Sequence, residues 1–273
     1  MKCFSFEKLN FKFGIFDDSI DCTYILHLES EVHRLKNIKT QLNKFKLTKD
    51  LYIFNNKGFK NCKKDLYKQK TNYDIIHSYL EIFKHAKLNN YNNIIILEDD
   101  FILNRVFLHE DINRINNFCI KNKQELFLLS LGLIPILYYK KDKYFNKSII
   151  GLTTHNFIYS KKIREDILKN EKQIYKYRHI DVFLNTYFKT YFYYKPLIYQ
   201  NFEETENSKN WTPIPFINRI AFKINDFFDF KNNPKKAFQN IYTFSYFISL
   251  LFIIIFFLLI LFIFYLFFIN FYY

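Results

Sequence analysis

The chain has 273 residues and a formal net charge of +14, from 40 Lys and Arg against 26 Asp and Glu. Hydrophobic residues make up 49% of it, which excludes a disordered polar chain because enough apolar surface is present to offset the entropy of ordering. Only 4 Gly and 5 Pro occur, and this scarcity argues against collagen-like, Gly-rich phosphate-loop and low-complexity architectures. The lysines are spread without an arginine and aromatic cluster, so we expect no specific nucleic-acid partner.

Apolar periodicity predicts strands that alternate with helices, which is the pattern of an α/β sheet flanked by helices. The run at 94–97 is entirely apolar and of strand length, so we expect a central parallel strand that is buried on both faces. The other predicted elements, in chain order, are strand 24–28, a helix on Leu35, Ile38, Leu42 and Phe45, strand 51–54, a helix that begins with a capping box at Thr71 and Asp74 and ends near Asn89, strands 125–131 and 148–159, helices 161–175 and 182–188, and strand 191–199.

The C-terminal segment 237–273 contains no charged residue and exceeds the roughly 20 apolar residues that a membrane-spanning helix needs. We therefore expect a single-pass C-terminal membrane anchor. Lysines flank only its N-terminal side, and this positive-inside bias predicts a cytosolic location for the preceding domain. These flanking lysines are Lys231, Lys235 and Lys236.

The rest of the chain divides into a leader segment 1–20, a domain 21–212 and a juxtamembrane linker 213–236. The leader has no continuous apolar stretch, so it is not a secretory signal. The linker has apolar residues at helical spacing, which fits equally a helix lying in the membrane plane and a helix packed on the domain. The four cysteines are widely and irregularly spaced, which predicts free thiols rather than disulfides or a zinc site. They are Cys3, Cys22, Cys62 and Cys119.

Three consecutive carboxylates, Glu98, Asp99 and Asp100, follow the predicted central strand. Open α/β sheets bind ligands at the carboxyl ends of their strands, and hard oxygen ligands suit Mg²⁺ or Mn²⁺. If the strand continued, Glu98 and Asp100 would point one way and Asp99 the other. The motif is therefore either a metal and diphosphate site or an acidic turn that ends a strand.

Four segments in order resemble the family 25 glycosyltransferases, a group associated with lipooligosaccharide sugar addition and collagen galactosylation. The match spans roughly residues 22 to 210. The segments are YILHLESEVHRLKNIKTQL at 24–42, SYLEIFKHAKLNNYNNIIILEDDFIL at 78–103, THNFIYSKK at 154–162, and HIDVFLNTYF at 179–188 followed by KPLIYQ at 195–200.

The resemblance implies a GT-A-like nucleotide-sugar-binding sheet and assigns roles to individual residues. Asp100 ligates the metal, Glu98 ligates it or contacts the donor with Asp99, and Arg34 contacts the donor phosphates or ribose. Asp181 acts as the base toward an acceptor hydroxyl, although its position also fits a helix N-cap. Gln200 and Ser208 fall where the family has a Gln and a following Ser. His155 and His179 lie near these motifs, and we expect both to be polar surface residues.

The chain departs from the family pattern before the acidic motif. It has Asp74-Ile75 and Ser78-Tyr79 where the family has Gly-Cys and Ser-His. The leading hypothesis is a membrane-anchored transferase that moves a hexose, from a UDP-sugar donor and with Mn²⁺ or Mg²⁺, to a glycan, lipid or protein acceptor with inversion. The alternative is a catalytically inactive relative that acts as a membrane-bound scaffold or binding protein.

Overall fold

The computed structural model describes residues 2–104, 107–153, 155–201 and 215–272. The described helices are α1 (Val32–Lys44), α2 (Thr71–Leu88), α3 (His109–Lys121), α4 (Lys161–Lys169), α5 (Glu171–Ile174), α6 (Ile180–Tyr187), α7 (Pro215–Phe228) and α8 (Pro234–Tyr272). The strands are β1 (Phe4–Asn10), β2 (Cys22–Leu28), β3 (Asp50–Asn56), β4 (Asn93–Glu98), β5 (Phe101–Leu103), β6 (Phe127–Ser130), β7 (Ile134–Lys140), β8 (Phe145–Leu152), β9 (Asn156–Ser160), β10 (Lys189–Tyr193) and β11 (Ile198–Gln200).

The protein is a mixed α/β structure around a nine-stranded sheet with the order β1-β3-β2-β4-β9-β6-β10-β8-β7. Strands β3, β2 and β4 are parallel, so their carboxyl ends share one edge of the sheet. Strand β4 then pairs with β9 in antiparallel orientation. A separate two-stranded sheet joins β5 to β11 beyond the end of β4. The predicted α/β class is confirmed, and the sheet is mixed rather than purely parallel.

Strand β4 lies at the centre of the molecule because both of its faces are apolar. Ile94 and Ile96 belong to one buried cluster, which also contains apolar residues of α2, α4, α6 and α8. Ile95 and Leu97 belong to a second cluster on the opposite face, with residues of α1 and α3. The period of two along an apolar strand thus produces two helical layers around one sheet. The predicted burial of this strand on both faces is confirmed.

The C-terminal half of the sheet is divided more finely than the periodicity predicts. The predicted strand 148–159 is two strands, β8 and β9, separated by Thr153, whose backbone has a positive φ of 75°. The predicted strand 191–199 ends as β10 before Pro196 and resumes as β11, because proline cannot donate to a central ladder. The predicted helix 161–175 is likewise divided into α4 and α5. Helix α3 and strand β7 were not predicted.

The N-terminal segment corrects the prediction of four free thiols. The predicted leader 1–20 contains β1, which pairs with β3 in antiparallel orientation. Cys3 therefore lies beside the end of β3, where its carbonyl accepts the N–H of Lys57 at 3.1 Å. A turn at Gly58 brings Cys62 back to it, and the two form a disulfide. Cys22 and Cys119 are free and buried.

The predicted linker and anchor each contain a helix. Helix α7 exposes Phe222, Ile224 and Phe227, and Phe228 at its end contacts Phe244 of α8 with ring centroids 5.8 Å apart. Helix α8 is long and apolar enough to cross a membrane. Its first turns pack on the domain before the exposed apolar stretch begins, so the helix starts earlier than the predicted boundary at residue 237.

Candidate functional site

The three carboxylates lie where the parallel strands end. Glu98 is the last residue of β4, while Asp99 and Asp100 form the turn into β5. Because β4 ends at Glu98, the alternation of side-chain directions along a strand does not apply to Asp99 and Asp100. Each carboxylate has its own set of neighbours, which differ in charge and in hydrogen bonding.

Asp99 is held by the last two residues of β2 and by Arg34 of α1. Its Oδ1 accepts a hydrogen bond from Nη1 of Arg34 at 2.7 Å. Its Oδ2 lies 3.0 Å from Nδ1 of His27 and accepts the backbone N–H of Leu28 at 3.2 Å. Burial raises the pKa of this carboxyl, but the bonds from His27 and Arg34 outweigh burial and hold the pKa below its ordinary value. Asp99 is thus a fixed anion that attaches the start of α1 to the end of β4.

Asp100 is buried in a different environment. Its Oδ2 accepts a hydrogen bond from Nε2 of Gln200 at 3.0 Å, and its backbone carbonyl accepts the N–H of Asn201. Its Oδ1 is buried and has no hydrogen-bond partner within the described ranges. Burial, followed by the charge of Asp99, raises the pKa of this carboxyl to about 7. A buried carboxylate oxygen without a donor is a position that a cation can satisfy.

Glu98 contacts Tyr79, a tyrosine of α2. The hydroxyl of Tyr79, which is fully buried on α2, donates to Oε1 of Glu98 at 3.2 Å. The backbone N–H of Glu98 donates to the carbonyl of His155 at 3.1 Å. Tyr79 therefore supplies the Glu98 carboxylate with a buried hydroxyl donor.

Asp181 is connected to the acidic motif through the backbone around Thr153 and His155. Its Oδ1 accepts the backbone N–H of Val182 at 2.9 Å, and the nearby backbone of Thr153 lowers the pKa of the carboxyl. Thr153 is two residues before His155, whose carbonyl bonds Glu98, and two residues of chain span at most about 7 Å. The N-cap alternative is wrong, because His179 occupies that position and Asp181 lies inside the first turn. Burial raises the pKa of the Asp181 carboxyl.

The backbone at Thr153 is strained. A positive φ is unusual for a β-branched residue and costs on the order of 1–3 kcal/mol. Such strain occurs preferentially at functional sites, and here it affects the backbone that lies near the Asp181 carboxyl. This geometry is an independent sign that the end of β8 belongs to the candidate site.

The two histidines differ from the surface positions expected for them. His155 is 1% exposed, and its ring packs against Phe238 of α8 with centroids 5.8 Å apart. Burial lowers its pKa to about 3, so the ring is neutral at physiological pH. His179 is half-buried beside Asp181. The prediction of a surface location was therefore wrong for His155.

A second polar cluster lies at the end of β3. Asp74 pairs with Lys64 and accepts the backbone N–H of Phe59 at 2.8 Å. Asn56 donates to Ser78 at 2.9 Å and also contacts Lys64. The predicted capping box at Thr71 and Asp74 is wrong, because this buried lysine engages the carboxylate and Lys70 occupies the N-cap position.

The site residues predicted from the sequence form three groups according to their contacts in the structure. Arg34 and Asp99 are brought together as an ion pair, Asp100 meets Gln200, and Asp181 lies next to the backbone that joins Glu98. Ser208 lies outside the described residues. His27 was missed as a partner of Asp99, although its position at the end of a predicted parallel strand marks the same sheet edge.

Metal binding at this site would depend on few protein ligands. Within the described ranges there is no group of three or more His, Cys, Asp or Glu side chains that could hold an ion alone. Mg²⁺ commonly uses one or two carboxylates and completes its shell with water and substrate phosphates. The unpartnered oxygen of Asp100, with Glu98 nearby in the chain, fits that mode. Asp99 does not, because Arg34, His27 and Leu28 occupy its oxygens.

Comparison with protein-family models and with curated protein sequences finds no match. Among solved structures, the chain is similar to one titled "Crystal Structure of A197 from STIV", with 12% sequence identity and a TM-score of 0.39. The similarity covers 67% of this chain and 86% of that chain. A likeness at this level carries no argument about fold or function.

Proposed function

We propose that this chain is a membrane-anchored glycosyltransferase that transfers a hexose from a nucleotide sugar to a glycan, lipid or protein acceptor. The observation that carries the proposal is the buried, unpartnered oxygen of Asp100 at the carboxyl end of β4, beside the ion pair of Asp99 with Arg34. The two neighbouring carboxylates differ there: Asp99 is paired with the guanidinium of Arg34, and Asp100 has one oxygen that is open to an ion.

The resemblance to family 25 glycosyltransferases, and with it the GT-A-like assignment, belongs to this proposal. The contact of Gln200 with Asp100 supports it, since both residues lie at positions that the family pattern associates with the site. Asp100 and Glu98 would hold Mn²⁺ or Mg²⁺. The metal supplies neutralisation of the donor diphosphate when it is bound.

The residues of the chain have distinct roles in this proposal. Arg34 presents a guanidinium at the edge where phosphate or ribose oxygens of a UDP-sugar would lie, and Asp99 and His27 fix its position. Asp181 accepts the proton of the acceptor hydroxyl as the new glycosidic bond forms and the bond to the diphosphate breaks. Burial raises the pKa of this carboxyl above its ordinary value, which makes the carboxylate a stronger base. Attack from the face opposite the leaving group gives inversion.

The orientation in the membrane rests on two signals that disagree. Lys231, Lys235 and Lys236 precede the apolar part of α8, and the positive-inside rule places the domain in the cytosol. The Cys3–Cys62 disulfide is a feature of oxidising compartments. We retain the cytosolic orientation as the proposal. Protease protection of sealed microsomes tests it, since a protected domain would reverse the assignment.

The alternative function, an inactive membrane-bound scaffold, makes a different prediction about nucleotide sugars. Tyr79 occupies one oxygen of Glu98, where the family pattern has a histidine nearby. A chain that has lost turnover but retains the Arg34 and Asp100 environments would bind a nucleotide sugar without hydrolysing it. Binding and turnover therefore have to be measured separately.

The test uses the full chain in nanodiscs, because α8 packs on the domain. We would screen UDP- and GDP-sugars with Mn²⁺ for binding and for nucleotide release, alongside Asp100→Asn and the exposed control Asp65→Asn. We expect metal-dependent release from one donor that is lost in Asp100→Asn and retained in Asp65→Asn. Donor binding without release would favour the scaffold, and absence of binding by the folded chain would overturn both.

A further inference from the structure

The contact of α8 with the domain ends at a defined residue. The buried residues of the helix recur on one face, and none follows Ser249 within the described residues; they are Ala237, Phe238, Ile241, Tyr242, Ser245 and Ser249. The remaining part, 250–272, is about 34 Å long at roughly 1.5 Å per residue. This length matches a hydrocarbon core of roughly 30 Å. The bilayer surface therefore lies close to Ser249.

Strand β7 runs along α8 toward that surface. The hydroxyl of Ser245 donates to the carbonyl of Pro135, and the N–H of Tyr138 donates to Oγ of Ser249 at 3.0 Å. Strand β7 and helix α8 run in the same direction between these two contacts. The residues after Tyr138 therefore lie on the side where α8 leaves the domain. The side chain of Lys140 also lies against α8, with its Nζ 5.3 Å from the ring centre of Tyr246.

The residues that follow form a basic hairpin tip, defined here as residues 139–147, which include the end of β7, the turn and the start of β8. It contains four lysines against one acidic residue, Asp142. Lys140, Lys141 and Lys143 are exposed, and Lys147 lies 5.5 Å from the ring centre of the exposed Tyr139. Lysines beside tyrosines are typical of the interface between a bilayer and water. There the ring contacts the apolar edge of the bilayer, and the charged group contacts water and lipid headgroups.

We propose that the basic hairpin tip lies in the headgroup layer of the bilayer that α8 crosses and binds anionic lipid headgroups through Lys140, Lys143 and Lys147. The occupant follows from position and charge: the tip is adjacent to the point where the helix enters the membrane, and its excess charge is positive. This second membrane contact is separate from the lysines that precede α8 in the chain. It does not depend on the proposed enzymatic activity.

Helix α7 supports the level assigned to the bilayer. Its last residue, Phe228, contacts Phe244, which is only five residues before Ser249. The adjacent Phe227 is 81% exposed, and Phe222 and Ile224 are also exposed. Apolar side chains at this height agree with the in-plane alternative for the linker, because a bilayer would cover them.

The experiment measures the depth of the tip directly in the full chain. Lys143→Cys and the matched control Lys12→Cys, an exposed lysine just after the distant edge strand β1, would each carry a fluorophore; Cys22 and Cys119 are buried. The chain is reconstituted in phosphatidylcholine bilayers that contain a headgroup nitroxide quencher, with or without phosphatidylserine. We expect at least about twofold greater quenching at position 143 than at position 12, increasing with phosphatidylserine.

A charge reversal separates lipid binding from mere proximity. Lys140→Glu with Lys147→Glu is expected to remove the increase caused by phosphatidylserine. Lys39→Glu with Lys123→Glu, which changes the net charge equally at exposed sites elsewhere, is expected to retain it. Equal quenching at positions 143 and 12 would overturn the location. Anionic lipid recognition would be overturned if quenching at position 143 did not increase with phosphatidylserine. It would also be overturned if that increase persisted after the charge reversal at Lys140 and Lys147.

Discussion

The two halves of the nine-stranded sheet differ most between the carboxyl ends of the parallel strands in one half and the surface against α8 in the other. The half with β1, β3, β2 and β4 contains the Cys3–Cys62 disulfide and the buried ion pairs of Asp99 with Arg34 and of Asp74 with Lys64. In the half from β9 to β7, the edge strand β7 is covered by α8 through aromatic rings and serine hydroxyls, while the buried Asp111 of α3 pairs with Lys195 beyond the end of β10. Among the described residues, no ion pair joins α8 to this half.

This difference shows how one small domain can combine polar chemistry with a membrane helix. Charged groups converge at the carboxyl ends of the parallel strands, whereas the surface against α8 uses groups that remain neutral. Apolar and hydroxyl contacts tolerate the low dielectric near a bilayer, and ion pairs there would carry a desolvation penalty. The following changes test whether the two halves are stabilised in these separate ways.

Removal of the disulfide is expected to have the largest effect. Cys3→Ser with Cys62→Ser opens a loop with a sequence separation of 59 residues and should lower the free energy of unfolding by about 4 kcal/mol. Denaturant titration of the full chain in nanodiscs, followed by circular dichroism, measures this. Reductant should reproduce the loss in the wild type and leave the double variant unchanged; equal stability of the two proteins would contradict the prediction.

The ion pair under the acidic motif should have the next largest effect. Arg34→Met leaves Asp99 buried beside His27 and Leu28 alone, and loss of one partner from a buried pair costs about 3 kcal/mol. The same denaturant titration measures it. A double variant with Asp99→Asn should recover a large part of the loss, since the unpaired charge is gone; additive losses would show that the two side chains act independently.

The contact of α8 with the opposite edge should have a smaller effect. Ser249→Ala leaves the N–H of Tyr138 without its acceptor in a buried position, which costs about 1–2 kcal/mol. Thr243→Ala is the control, because that hydroxyl is exposed and bonds within its own helix. Thermal unfolding in nanodiscs compares them. Matching transition temperatures would mean that the serine does not stabilise the edge.

Asp100→Asn should have the smallest effect on stability, and unlike the preceding substitutions it should stabilise the protein. The pKa of this carboxyl is raised in the folded protein, so the wild type loses stability as pH rises from about 4 through about 7. The variant should therefore be more stable without metal at pH 8, by on the order of 1 kcal/mol, while losing metal binding. Thermal unfolding with EDTA measures the gain.

The neighbouring carboxylate provides the control for that sign. The pKa of Asp99 is lowered in the folded protein. The charged carboxylate therefore stabilises the fold at pH values above its ordinary pKa, and this stabilisation disappears as pH falls through the lowered pKa. Asp99→Asn should be destabilised at pH 8 under the same conditions. If both substitutions shift the transition in one direction, the contrast between the two carboxylates is wrong.

The parallel half was largely predictable from sequence because its elements depend on local patterns. The apolar run of β4, the helical spacing on α1 and the position of the acidic motif all follow from periodicities of 2.0 and 3.6. The contact between Arg34 and Asp99 was not predictable from spacing alone. It depends on the parallel pairing of β2 with β4, which joins residues that are distant in the chain.

The other half was predicted less well because its boundaries depend on single residues. Thr153 separates β8 from β9 through its backbone angle, a feature without a composition signal. Strand β7 is covered on its open edge by α8, so its pairing depends on a helix that follows much later. The disulfide was missed for a similar reason: β1 carries Cys3 to Cys62 by a pairing between distant segments.

The serine contacts on β7 also have a consequence for biosynthesis. Helix α8 follows every strand of the sheet in the chain, so it leaves the ribosome after the sheet has been made. Until then the edge of β7 presents unpaired backbone groups, which are a template for pairing with other chains. Membrane insertion of α8 and closure of that edge are therefore coupled events. A delay in insertion would leave the nascent domain open to aggregation at β7.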